Sequence, residues 1–176
     1  MLICIDPGHG GSDSGAVANG LHEKDLNLQV ALELKKMLTN FNVLMTRQTD
    51  IDVSLATRTN IANSKNADIF ISIHHNAAAD IGARGFEVFH SVLGGEGQKL
   101  AHEIAYHYCT LLSELPLRGV KIKTGSDGRD YYHIIRATKM PAVIIEGAFL
   151  TNIKDASLLK DKGFLLRQAI AIYRAI

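Results

Sequence analysis

Four residues far apart in the chain, His9, Glu23, His74 and Glu146, offer imidazoles and carboxylates of the kind that hold a metal ion or move protons. His9 lies in Asp6-Pro7-Gly8-His9-Gly10-Gly11, a glycine-rich turn directly after the apolar run Ile3-Cys4-Ile5. His74 and His75 close a second apolar run, Ile69-Phe70-Ile71-Ser72-Ile73, and Glu146 closes a third, Ala142-Val143-Ile144-Ile145. Glu23 opens a stretch of helical periodicity. Catalytic zinc commonly takes three His or Asp/Glu side chains and leaves a position for water. A carboxylate ending an apolar strand is costly without a partner or a task, and proton transfer is such a task. Each residue alone has a plainer reading. His9 fits a solvated loop, and Glu23 fits a helix start where its charge complements the dipole. His74 fits a hydrogen-bonded structural histidine, and Glu146 fits a pair with Arg47 or Arg136.

These side chains need elements to position them. Leu2 to Ile5, Val43 to Met45 and Ile69 to Ile73 read as strands, as do Tyr132 to Ile135 and Val143 to Ile145. The alternation of Gly85-Phe86-Glu87-Val88-Phe89-His90 predicts a strand with one wet face near the sheet edge. Helical spacing runs from Glu23 to Leu38 through Leu26, Val30 and Leu34, and again from Leu55 to Asn63. It returns after Gly94–Gly97 along Leu100, Ile104, Tyr108, Leu111 and Leu115, and closes the chain from Phe164 to Ile176. Gly8 to Gly20, the Asp50/Asp52 segment and Gly147 to Asp155 read as loops, and the Asp50/Asp52 loop reads as solvated. Such alternation predicts one α/β domain, a mostly parallel mixed sheet of about six strands with helices on both faces. In open α/β sheets ligands bind beyond the carboxyl ends of the strands, where His9, His74 and Glu146 fall.

Composition narrows the function. The chain has 176 residues, 47% apolar and 21% charged, with a formal charge of +1. That length suits one domain, and that charge predicts no strong attraction to nucleic acid or anionic membrane. Cys4 and Cys109 read as buried free thiols, without a disulfide framework. No apolar stretch reaches the ~18 residues of a membrane span. No leader pattern precedes Leu2, so the chain is expected to be made in the cytoplasm, as a monomer. His22, His90, His102, His107 and His133 have no partners at ligand spacing and are expected at the surface.

The ordered segments resemble a known family, the zinc-dependent N-acetylmuramoyl-L-alanine amidases of autolysins, spore hydrolases and phage endolysins. The matching pieces begin with Asp6-Pro7-Gly8-His9-Gly10-Gly11, Glu23-Lys24-Asp25-Leu26-Asn27-Leu28, Thr46-Arg47 with Asp50, and Leu55-Ala56-Thr57-Arg58. They continue with Ala67 to His74, Asn76-Ala77, Pro141 to Glu146 and Phe149-Leu150-Thr151-Asn152. The resemblance implies one zinc ion held by His9, Glu23 and His74. Position relative to Asn76 favours His74 over His75, and strand alternation agrees, placing His74 on the Ser72 face and His75 at the start of a loop. It also implies Glu146 as general base, and peptidoglycan as substrate, cut between the muramyl lactyl group and L-alanine. It leaves Asn76 as a candidate substrate contact. Arg136, ending Tyr132-His133-Ile134-Ile135-Arg136, is either a substrate contact or a salt-bridge partner. Asp6 either orients His9 or anchors the turn, and Arg58 and Asp68 read as structural. Some cell-division relatives carry a long helix that covers the zinc; only Ala78 to Arg84 separates the corresponding strands here, so an open groove is expected. A phage endolysin is favoured over a bacterial or spore autolysin, acting on the wall after release. Two rivals remain: a zinc peptidase acting on the stem peptide, and a non-catalytic wall-binding module.

Overall fold

A computed structural model describes all of residues 1–176, and the strand that opens the chain lies inside its sheet. In chain order the elements are β1 (Leu2–Pro7), β2 (Val17–Ala18), β3 (Leu21–His22), α1 (Glu23–Met37), β4 (Asn42–Met45), α2 (Leu55–Ser64) and β5 (Ile69–Asn76). There follow β6 (Phe86–Phe89), α3 (Glu96–Leu111), β7 (Leu117–Lys121), α4 (His133–Ala137), β8 (Ala142–Phe149), α5 (Ile153–Leu159) and α6 (Lys162–Arg174). Six strands form one sheet in the order β4-β1-β5-β8-β6-β7, and β2 and β3 make a separate hairpin. The first four of that order are mutually parallel, while β6 runs antiparallel to β8 and parallel to β7. This is the mixed, mostly parallel α/β sheet that the alternating pattern predicts.

Strand parity divides the core. Ile3 and Ile5, Ile71 and Ile73, Val143 and Ile145 point to one face, in a cluster of 27 buried residues with α1, α3 and α6. Cys4, Phe70, Ala142 and Ile144 point to the other, in a cluster of 9 that includes Ala62 of α2 and Ile134 and Ile135 of α4. The second face is covered by two short helices, which leaves space above the carboxyl ends of β1, β5 and β8. No helix is long and apolar enough to cross a membrane.

Several local expectations are corrected. Tyr132 to Ile135 is the entry to helix α4 rather than a strand, with Arg136 N–H donating to Tyr132 O at 3.0 Å; a short apolar run cannot separate the two by periodicity. Strand β6 has no wet face, because all four of its residues are buried. The strand outside it, β7, was masked by Arg118, Gly119 and Lys121, the charged and flexible residues typical of a sheet edge. Strand β8 runs on to Phe149, and α5 begins within the segment expected to be loop, its N-terminus capped by Asn152 Oδ1 at 3.1 and 3.3 Å from the amides of Lys154 and Asp155. Strand β5 also continues past His74, so His75 is buried inside it rather than in a loop. His90 is buried as well, and of the two cysteines only Cys4 is buried while Cys109 is exposed.

Candidate metal centre and catalytic groove

The turn after β1 is built to aim an imidazole. His9 adopts φ 59°, a left-handed conformation uncommon outside glycine. Two buried arginines hold the carbonyls that this conformation exposes. Arg47 donates to Pro7 O at 3.0 Å and to Gly8 O at 2.9 Å. Arg58 donates to Pro7 O at 2.6 Å and to His9 O at 2.7 Å. Asp6 does not touch His9. Its carboxylate accepts from Arg58 at 2.7 Å, Thr46 at 2.6 Å and Ser72 at 2.7 Å, which locks α2, β4 and β5 to the turn. The Asp50/Asp52 loop is exposed yet committed: Asp50 accepts from Gly11 N–H at 2.7 Å and Asp52 from Ser12 N–H at 2.9 Å.

Gly8 is where the turn passes the end of β5. A Cβ there would lie 2.1 Å from His74 Cε1, so only glycine lets that ring lie across the backbone. His74 therefore faces His9, their rings edge to face at 5.0 Å. Glu23, the first residue of α1, completes the group. Its Oε1 lies 3.1 Å from His9 Nε2 and 2.9 Å from His74 Nδ1, while Ala16 N–H donates to Oε2 at 2.9 Å. One ligand atom from each of the three residues falls within 4.8 Å of the other two. Asp13, four residues after His9, accepts or shares a proton with the far nitrogen Nδ1 at 2.8 Å and so fixes the ring.

The electrostatics follow from one carboxylate serving two rings. Burial opposes ionisation of Glu23, but hydrogen bonds from His74 and His9 hold its pKa far below the carboxylate range. Burial likewise opposes charge on His9, yet the hydrogen bonds and charges of Glu23 and Asp13 push it up to about 9. His74 moves up for the same reasons, with Glu146 adding its charge. Two imidazoles drawn to one buried carboxylate form a donor set that a divalent cation can satisfy. The set of two His and one Glu from three elements fits tetrahedral zinc with a place left for water, and Asp13 stands behind His9 as a carboxylate would behind a metal-bound histidine.

His75, on the opposite parity of β5, points away from this group. Its ring nitrogens lie 2.8 Å from Asn27 Oδ1 and 3.0 Å from Gln168 Oε1, between α1 and α6. Burial pushes its pKa down to about 4.

Glu146 sits on β8 directly opposite His74 in the parallel register, and on the same face. It makes no ion pair with Arg47 or Arg136. Burial raises its pKa to about 7, with the charges of Glu23 and Glu87 also raising it and those of His74 and His9 opposing. Two contiguous hollows of about 520 and 320 Å³ share His9, His74, Leu55 and Ile134 as walls, and Glu146, Asn76 and Tyr132 line the smaller. Asn76 contributes to that wall with its amide engaged, donating to Glu87 at 3.0 Å and accepting from Ala77 N–H at 2.8 Å. Arg136 lies outside both hollows. Its guanidinium donates to the carbonyls of Asp130 at 2.7 Å and Tyr131 at 3.2 Å.

A profile of the family described as N-acetylmuramoyl-L-alanine amidase matches residues 3–176. The chain belongs to this family. The amidase CwlM of Bacillus licheniformis is 43% identical over 175 residues, covering 97% of this chain and 64% of that protein. An endolysin of Bacillus phage SPP1 is 37% identical over 173 residues, covering 93% of this chain and 60% of its own length. The catalytic domain of CwlV, an N-acetylmuramoyl-L-alanine amidase from Bacillus (Paenibacillus) polymyxa var. colistinus, superposes with a TM-score of 0.89. It is 30% identical and covers 99% of this chain and 94% of that one. The chain thus spans less than two thirds of each of these two curated relatives, but nearly all of a solved family domain.

Within this family fold, the residues that sequence reasoning missed are the supporting ones. Asp13 was detectable from its spacing of four after His9. Arg47 as a clamp, the Asn27–His75–Gln168 chain and the Glu87–Asn76 contact had no local signal, because each joins elements distant in sequence.

Proposed function

We propose that this chain hydrolyses peptidoglycan at the amide joining the lactyl group of N-acetylmuramic acid to the L-alanine of the stem peptide. One zinc ion would be held by His9, Glu23 and His74, with Glu146 as base and then acid. The observation that carries this reading is the convergence of three ligand atoms within 4.8 Å beside Glu146, which is paired in register with His74. Family membership supports the choice of bond.

When bound, zinc supplies Lewis acidity at the carbonyl oxygen and lowers the pKa of a water. The chain's own groups do the rest. The Glu146 carboxylate takes the proton of the water that attacks the carbonyl carbon. It then delivers that proton to the amide nitrogen as the carbon–nitrogen bond breaks. The products are a lactyl carboxylate and a stem peptide with a free alanine amine. A carboxyl whose pKa lies near neutrality serves both halves of that cycle. Asp13 holds the His9 ring in position. Asn76 stands where substrate would pass, and Arg136 acts at one remove by fastening the loop that carries Tyr131 and Tyr132. Every group comes from one chain, so a monomer suffices.

The test is digestion of purified peptidoglycan with and without a chelator, with products read by mass spectrometry. Chelator-sensitive release of stem peptides bearing a free L-alanine amine supports the amidase. Cuts between amino acids would make it a zinc peptidase. Intact wall with protein bound would make it a binding module.

A further inference from the structure

The sheet edge beside the groove carries more positive charge than the fold consumes. His74, Glu146, Glu87 and Gly119 stand in one cross-strand row over β5, β8, β6 and β7. Glu87, two strands from the ligand histidine, is buried, and both Arg118 (3.2 Å) and Lys121 donate to its Oε2. Two cations therefore meet one carboxylate. Lys123, just beyond β7, has no carboxylate partner at all. Its ammonium lies 4.1 Å from the ring centre of Tyr131 and 5.2 Å from that of Tyr132, and Tyr132 lines the catalytic hollow.

This platform is held still. Tyr131 N–H donates to Lys123 O at 2.9 Å, and Arg136 grips the carbonyls of Asp130 and Tyr131. The Asp130 carboxylate is anchored by Val92 N–H and Ser91 Oγ, each at 2.7 Å. Tyr132 also packs edge-on against Phe89 at 5.1 Å. An exposed lysine normally loses side-chain freedom when it captures an anion. Here the cation–π contact has already restricted Lys123, so an arriving carboxylate orders less. The same contact occupies faces that a sugar ring would otherwise stack on.

We propose that Lys123, on its Tyr131–Tyr132 platform, is a subsite for a free carboxylate of the stem peptide, on the leaving-group side of the scissile amide. The identity of the peptide rests on the amidase reading above. The placement fits: the Lys123 ammonium lies 5.2 Å from the centre of the Tyr132 ring, and Tyr132 lines the same hollow as Glu146.

The test is calorimetric binding of the stem tripeptide L-alanyl-γ-D-glutamyl-L-lysine, with its carboxylates free or amidated, to the zinc-loaded chain. The free form is expected to bind about tenfold tighter. Lys123→Met should abolish that preference and Lys123→Arg should retain most of it, with the thermal midpoint unchanged in both. A preference that survives in Lys123→Met, or is missing in the unsubstituted chain, overturns the subsite. Wall digestion read in parallel separates the two proposals: charge-dependent binding without amide cleavage sinks the amidase reading alone, and cleavage without charge preference sinks the subsite alone.

Discussion

Glu23 shows how one side chain can set the chemistry of its neighbours. It is buried, shared between His9 and His74, and held ionised by both. Replacing Glu146, the proposed base, should separate binding from turnover. Glu146→Gln is expected to keep zinc and fold while wall lysis falls about 10²–10⁴-fold; undiminished lysis would remove Glu146 from the mechanism. Asp13→Asn weakens the support of His9, so zinc affinity should drop about 10–100-fold in competition with a chromophoric chelator. His9 and His75 respond oppositely to pH in the metal-free chain. His9 gains a proton on folding, so its contribution is present below about 6.5 and fades as pH rises through about 9. His75 is held neutral, so its contribution is present above about 6.5 and is lost as pH falls towards about 4. Urea denaturation of His75→Gln across that acid window should show a shallower loss of stability than the unsubstituted chain. An unchanged slope would mean that His75 does not titrate there.

At the level of elements, the turn after β1 depends on helix α2 and strand β4 more than on its own residues. Arg58 reaches from α2 to Asp6, Pro7 and His9, and Arg47 reaches from the end of β4 to Pro7 and Gly8. Arg58→Met would leave Asp6 buried with an unpaired charge, at a cost of about 3–5 kcal/mol. Chemical denaturation measures it, and a change below 1 kcal/mol would show that Thr46 and Ser72 suffice for Asp6. The strands that lead to His9, His74 and Glu146 were legible because β1, β5 and β8 are short apolar runs closed by polar residues. Helix α4 and strand β7 were not. The four residues Tyr132 to Ile135 hold too little periodicity to choose a backbone, and packing of Ile134 and Ile135 against the Cys4 face decides it. Strand β7 exists because β6 offers it an edge, not because Leu117-Arg118-Gly119-Val120-Lys121 asks to be a strand.

For the whole molecule, zinc should act as a stabilising ligand, because the three donors proposed for it come from β5, α1 and the turn after β1. Zinc at about a hundredfold above its dissociation constant adds about 2.7 kcal/mol. For a chain of this size a chelator should then lower the thermal midpoint by roughly 5–10 °C; no shift would argue against a three-element site. The residue types, their order and the parity of β5 were determined by the sequence alone, because hydrophobic periodicity is a local property that each segment expresses unaided. That was enough to nominate His9, Glu23, His74 and Glu146 and to place His74 on the Ser72 face, but not to see that β5 continues through His75. What only the tertiary structure decided is which distant groups meet: Glu87 beside Glu146, two arginines on one turn and Lys123 over the rings of Tyr131 and Tyr132. Those meetings depend on strand register and on which edge each strand joins, and both are set by packing the whole sheet at once rather than by any one segment.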